Sequence, residues 1–190
     1  VKIVQKFEVN ASPRRVWEFL VDPYRVVGCL PGATINEKVD AKTYAGTITV
    51  RVGLVTASYK GRLCFERLDP ETHEAEIVAQ GQDVRGKGSA EMRMASHLSP
   101  LEGGGTEVTV RSEVAITGLL AQFGRGMIQE VSDQLFQQFI ASLKEKLETG
   151  ADTAPAPGKR GSLNVLALGS KVSGRVLRKA LRRIFGLEHS

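Results

Sequence analysis

The chain has 190 residues, 42% of them hydrophobic, and a formal net charge of +5, enough for one domain with an appendage. No apolar run approaches the roughly 18 residues that a spanning helix needs, so a soluble core is expected; two distant cysteines, Cys29 and Cys64, argue against a disulfide or zinc framework and for a reducing compartment. The charge is uneven: from residue 151 onward eight bases face two acids, so the tail carries +6 and residues 1–150 carry −1.

The N-terminus lacks the charged, apolar and small-residue succession of a secretory signal. Residues 2–9 alternate with Ile3, Phe7 and Val9 on one side, which predicts a half-buried strand. Ser12 and Pro13 are a good N-cap and first helical residue, and Arg14–Val21 then forms a short helix with Val16, Trp17 and Leu20. Trp17, the single tryptophan, reads as core. Asp22-Pro23 starts a second short helix that runs to Val27, and Leu30-Pro31-Gly32 ends it.

From Ala33 to Ile116 the pattern is that of antiparallel strands with hairpin signals. A strand near 33–39 leads to one at 43–53, where Ile48, Val50 and Val52 alternate with Thr47, Thr49 and Arg51. Residues 55–68 place Val55, Ala57, Tyr59, Leu63 and Phe65 on one face. After the turn at Asp69–Thr72, further inner rows hold Ala75, Ile77 and Ala79, then Ala90, Met92, Met94 and Leu98. Beyond Gly103–Gly105, Val108, Val110, Val114 and Ile116 complete the sheet.

Residues 118–147 read as one amphipathic helix, with Leu120, Phe123, Met127, Ile128, Val131, Leu135, Phe139, Leu143 and Leu147 at spacings of three and four. Gly124 and Gly126 fall in its first turns, where each costs about 1 kcal/mol relative to Ala. Tight packing on the sheet is their first reading and ligand access their second. The fold expected is α+β: six or seven antiparallel strands curled around a long terminal helix.

The chemistry-bearing residues do not assemble into a catalytic set. His73 lies in a turn, His97 on an outward phase and His189 at the chain's end, none with a nucleophile or carboxylate partner. No metal-ligand spacing is present, and neither Gly86-Lys87-Gly88 nor Gly124-Arg125-Gly126 completes a phosphate loop. The carboxylates fall mostly on outward phases or in turns, and none is expected inward near Tyr59. Tyr59, Ser89, Ser96 and Ser112 are the inward polar groups, to be satisfied within the sheet, by water, or by a carbonyl oxygen of an otherwise apolar ligand.

The segments ASPRRVWEFLVDPYRVVGCLPGA (11–33), ITVRVGLVTASYKGRLCFERLD (48–69) and GLLAQFGRGMI (118–128) resemble the START/Bet v 1-like helix-grip superfamily, SRPBCC. Within it, the sequence resembles the G-subunit family of carbon monoxide dehydrogenase over residues 1–148. The resemblance implies a deep apolar cavity between the sheet and the long helix. The predicted elements would line it with Leu20, Val27, Leu30, Val50, Val52, Val55, Tyr59, Phe65, Ile77, Met92, Met94, Leu120, Phe123, Gly124, Met127, Ile128 and Val131. Independently, the inner rows combine small residues (Ala57, Gly61, Ala75, Ala79, Gly81, Gly88, Ala90) with adaptable methionines, a composition that leaves volume. The competing arrangement fills that volume with Trp17, Phe19, Phe65 and Phe123.

Residues 149–163 read as a flexible Pro/Gly-rich linker. From 164 to 190 periodicity returns: Val172, Val176, Leu177, Leu181, Ile184 and Phe185 share one side, with Lys171, Arg175, Arg178, Lys179, Arg182 and Arg183 adding positive charge. Such a basic amphipathic helix fits an anionic membrane surface. A groove on a partner protein is the second reading; nucleic acid is not expected, because stacking aromatics are lacking.

Together with the resemblance, this gives a non-enzymatic accessory of carbon monoxide dehydrogenase or a related molybdenum hydroxylase. It would be cytoplasmic and peripherally bound to the inner face of the cell membrane. Its ligand would be a hydrophobic small molecule, with an isoprenoid quinone (menaquinone or ubiquinone) the hypothesis, and no covalent cofactor or metal is expected. The alternatives are a cyclase- or hydratase-like enzyme for an aromatic or polyketide-like substrate in the same cavity, or an assembly factor whose cavity is filled.

Overall fold

A computed structural model describes residues 1–149. The linker beyond Thr149 and the whole basic tail, including every membrane-binding residue named above, lie outside the described residues.

The elements follow the expected order: β1 (Lys2–Val9), α1 (Pro13–Leu20), α2 (Pro23–Val27), β2 (Ala33–Lys38), β3 (Thr43–Val52), β4 (Val55–Asp69), β5 (Glu74–Asp83), β6 (Ser89–Pro100), β7 (Thr106–Ile116) and α3 (Gly124–Thr149). The strands form one antiparallel sheet in the order β1-β7-β6-β5-β4-β3-β2. It stays open at its β1 and β2 edges, and α1 and α2 carry the chain from one edge to the other. This is the helix-grip α+β arrangement.

Local chemistry explains the joints. Pro13 opens α1 after Ser12, whose backbone is extended although its side chain makes no capping bond. Asp22 does cap α2, accepting from the amides of Tyr24 at 2.9 Å and Arg25 at 3.4 Å. The turn between β4 and β5 is held by Asp69 Oδ1, which accepts from the Glu71 and Thr72 amides, as an Asx-turn does.

The expected single helix over 118–147 is two pieces. Gly118–Phe123 is a 3₁₀ turn and α3 starts only at Gly124. Glycine conformation sets the division: Gly118 has φ 78° and Gly124 φ 76°, which an α-helix cannot accept. Gly118 also lies against the Lys87 carbonyl, so closely that a Cβ there would sit 1.7 Å from that oxygen.

Ladder register puts a row of small residues across the concave face. Gly46 faces Gly61, Gly61 faces Gly81, and Gly81 faces Ala90. A Cβ on Gly61 would sit 2.0 Å from the Gln80 carbonyl oxygen, and one on Gly46 2.3 Å from that of Thr34. The backbones therefore crowd along this line, where glycine permits close approach.

Candidate ligand cavity

The apolar interior is divided into three clusters. The largest occupies one end, where α1 and the C-terminal half of α3 meet β1, β6 and β7 through Val9, Val16, Trp17, Phe19, Leu98, Val108, Leu143 and Leu147. Phe7 and Phe136 meet edge to face there, ring centres 5.6 Å apart. Polar ties close this end: Arg15 Nη2 donates to the Leu147 carbonyl at 3.1 Å, and Glu148 accepts from the Asn10 amide at 2.9 Å. Thr106, fully buried, donates its hydroxyl to the Ala11 carbonyl at 2.7 Å.

The second cluster lies at the other end. It joins Val50, Val52, Ala57, Tyr59 and Leu120, with Ile48, Val55, Ala90, Ile116, Val131 and Leu135 packed against them. The third, of Tyr44, Phe65 and Ile77 with Ile35, Leu63 and Met94, sits toward β2. Between these clusters runs the glycine row, a side-chain-poor strip about 14 Å long at typical strand spacing. Met92 and Val114, next to it in register, are only half-buried. Residues 121–127, which follow Leu120 of the second cluster, are all exposed.

The aromatic residues that could have filled the space are placed elsewhere. Trp17 and Phe19 belong to the first cluster, Phe65 to the third, and Phe123 is 39% exposed. The concave face is thus floored by glycine and alanine, walled by separate apolar clusters, and left uncovered where α3 begins.

Of the candidate cavity residues, Val50, Val52, Val55, Tyr59, Leu120 and Val131 are brought together in one cluster. Phe65 and Ile77 join the third cluster, Leu20 packs against the first, and Met94 bridges the first and third. Met92 and Ile128 are half-buried and outside all three, as are Val27 and Leu30 in and after α2. Phe123, Gly124 and Met127 stand exposed at the uncovered end. Neither Gly124 nor Gly126 packs tightly: a Cβ on either would meet nothing within 4 Å. The expectation of close helix–sheet packing at these glycines is therefore corrected.

The main polar feature is Tyr59. It is 6% exposed, lies on the concave face, and its phenol has no hydrogen-bond partner among the described residues. Burial, and then the charge of Asp83, push its pKa above the ordinary phenol value. It is therefore a neutral hydrogen-bond donor at physiological pH and a poor source of phenolate. Asp83 corrects the expectation of no inward carboxylate near Tyr59: the two residues face each other across the β4–β5 ladder. Counting by twos from Ala79 and Gly81 would have found it. Its carboxylate is engaged in the following turn, accepting from the Arg85 amide at 2.8 Å.

Ser89 is satisfied locally by Thr117, with 2.9 Å between the hydroxyls; Ser96 and Ser112 are half-buried on the concave face. Gly46 was missed as part of the floor, because the glycine row exists only once the register is set. Among the described residues, no group of three His, Cys, Asp or Glu side chains could hold a metal ion, and no helix is long and apolar enough to cross a membrane. Neither cysteine forms a disulfide.

The comparisons with known proteins agree with this architecture. The profile of the family described as the G subunit of carbon monoxide dehydrogenase (CoxG) matches residues 6–148. No curated protein matches significantly. Among solved structures, a conserved protein from Geobacillus kaustophilus is similar with a TM-score of 0.72 at 18% identity, over 79% of this chain and 97% of that one. The ZhuI aromatase/cyclase from a Streptomyces species gives 0.59 at 15% identity, over 82% and 98%. A START superfamily protein from Mycobacterium smegmatis gives 0.55 at 14%, over 78% and 97%. At these identities the structural likeness shows the fold alone.

Proposed function

This chain belongs to the CoxG family, the G subunit of carbon monoxide dehydrogenase, and from that premise we propose that it is a non-catalytic accessory that holds a lipophilic molecule on the concave face of its sheet. The ligand proposed is an isoprenoid quinone, menaquinone or ubiquinone, and the enzyme served is a carbon monoxide dehydrogenase or a related molybdenum hydroxylase. The basic tail at 164–190 would dock on the inner face of the cytoplasmic membrane, and a linker of about 14 residues would let the domain swing over about 20 Å by random-coil scaling.

The observation that carries this reading is the Tyr59 phenol, which bonds no side chain or backbone group among the described residues, beside a strip of glycine and alanine. A quinone needs an apolar surface for its ring and isoprenoid chain and one donor for a carbonyl oxygen, because a buried polar group without a partner costs about 1–3 kcal/mol. The glycine row supplies close backbone approach and Tyr59 the donor, a neutral phenol at physiological pH.

Native mass spectrometry with organic extraction, on protein purified from its own host, tests the reading directly. A stoichiometric isoprenoid quinone is the expected result; an empty protein that also fails to take up added quinone would overturn it. A second reading, an enzyme of the aromatase/cyclase kind, draws on the likeness to ZhuI and on Asp83 opposite Tyr59. It requires Tyr59→Phe to abolish turnover of a polyketide-like substrate. In the carrier reading the same variant weakens quinone binding roughly 5- to 10-fold, the equivalent of one hydrogen bond of about 1 kcal/mol.

A further inference from the structure

The exposed apolar side chains are not scattered. Five of the nine most exposed large ones among the described residues fall in the turns and the helix start that flank the second cluster: Leu54 at 92%, Val84 at 59%, Leu119 at 42%, Phe123 at 39% and Met127 at 38%. They come from three segments: the β5–β6 turn and the 3₁₀ segment meet through backbone at Lys87 and Gly118, and the β3–β4 turn joins the latter through the cluster of Val52, Val55 and Leu120. Leu54 tops the β3–β4 turn, next to the paired Val52 and Val55. Val84 tops the β5–β6 turn, its amide donating to the Ser58 carbonyl at 2.8 Å. The 3₁₀ turn carrying Leu119 and Phe123 starts where Gly118 abuts Lys87. Arg85, Lys87 and Arg125 are exposed among them, and none pairs with a carboxylate among the described residues.

We propose that this rim is a docking surface for an anionic lipid bilayer, separate from the basic tail. It rests on the carrier reading, because a lipophile drawn from a bilayer must reach the cavity without crossing water. The rim provides that continuity: Leu119 precedes Leu120, and Leu54 lies between Val52 and Val55, all lining residues of the second cluster. The shape favours a fluid partner. Leu54 and Val84 project from turn tips as prongs, and a bilayer accepts prongs without a matching pocket, whereas a protein partner would need one. The unpaired cations complement anionic headgroups.

The test uses the full chain with one tryptophan added at a time: Leu54→Trp, Val84→Trp, or Val39→Trp in the β2–β3 turn at the far end of β3. All three sites are exposed, so the fold tolerates the change, and the unsubstituted chain corrects for buried Trp17. Each is mixed with phosphatidylglycerol/phosphatidylcholine vesicles bearing brominated acyl chains, and with phosphatidylcholine alone. The expected result is a blue shift and bromine quenching at positions 54 and 84 with the anionic vesicles, smaller effects with phosphatidylcholine, and none at position 39.

Rim probes that stay in water while the chain sediments with vesicles would overturn the proposal and leave docking to the tail. So would no association at all, insertion at all three positions alike, or rim probes that respond only to the purified partner enzyme. Quinone uptake by the unsubstituted chain in solution is measured separately. Uptake without rim insertion removes the rim proposal alone, and insertion without uptake removes the carrier reading alone.

Discussion

The two halves of α3 have the same sheet to pack on and treat it differently. The C-terminal half buries Ile140, Leu143 and Leu147 against β1, β6, β7 and α1, with its last turn tied to Arg15 and Asn10. The N-terminal half starts inside an exposed run, residues 121–127, that opens in the preceding 3₁₀ turn. The middle of the helix is held by Asp133, which accepts from Gln5 at 3.0 Å and Gln129 at 3.3 Å. One end therefore carries the stability of the domain, and the other leaves apolar surface available to something else.

The largest expected effect tests that division directly. Leu143→Ala removes a side chain with no exposed area and should cost about 2–5 kcal/mol. Met127→Ala, at the open end, should cost less than about 1 kcal/mol, as surface changes do. Urea denaturation of both variants is the measurement, and comparable losses would mean that the two ends do not differ as described.

Backbone substitutions come next. Gly61→Ala would press a methyl group into the Gln80 carbonyl at 2.0 Å and should cost about 1–3 kcal/mol, the range of overpacking, while narrowing the floor and lowering lipophile uptake. Gly124→Ala meets no neighbour, yet its φ of 76° and ψ of 171° belong to a region only glycine occupies readily. The cost there should be about 1–3 kcal/mol of strain. Stability and uptake measured together separate these causes: both fall for position 61, and stability alone falls for position 124.

How much of this was legible in the sequence follows from the kind of signal each feature carries. Period-two alternation in β3 and β4 placed Val50, Val52, Ala57 and Tyr59 on one face, and the structure gathers them in one cluster. Such a face is a property of one strand and can be read from it. The glycine row belongs to four strands at once, and only the registers Gly46↔Gly61 and Gly61↔Gly81 reveal it. The start of α3 was misread because Leu120 and Phe123 fit the apolar stripe, while a positive φ at Gly124 has no side-chain signature. Asp83 was within reach of the same alternation, but its turn role and its inward phase coincide at a strand end. The rim was the least legible part: Leu54, Val84 and Phe123 are far apart in sequence and share only a place in space.

The open end has its own pH signature. Tyr59 has its pKa raised in the folded chain, by burial first and by the Asp83 charge second. The neutral phenol is thus favoured by folding. That contribution is fully present below the unfolded phenol pKa of about 10 and is lost as pH climbs from there through the higher folded value. Stability should fall with alkaline pH over that window, and Tyr59→Phe should flatten part of the fall. Titration of phenolate absorbance checks it independently: the variant should lose one tyrosine ionisation that lies above the ordinary phenol value. A variant with an unchanged alkaline limb would separate the Tyr59 hydroxyl from the buried environment assigned to it.

The smallest effect is at Gly126, one turn into the exposed part of α3. Its backbone is helical, a Cβ there would meet nothing within 4 Å, and helix propensity alone should decide the outcome. Gly126→Ala should therefore stabilise the domain by about 0.5–1 kcal/mol, opposite in sign to Gly124→Ala two residues earlier. If the space above Gly126 is empty in the working protein, lipophile uptake will not change. If a bound molecule lies there, stability will rise while uptake falls, because a methyl group harmless to the unliganded chain would occupy the ligand's place. A urea midpoint and a quinone-uptake measurement on the same sample distinguish the two. The stabilised, uptake-deficient result would mark the first turns of α3 as the upper wall of the cavity.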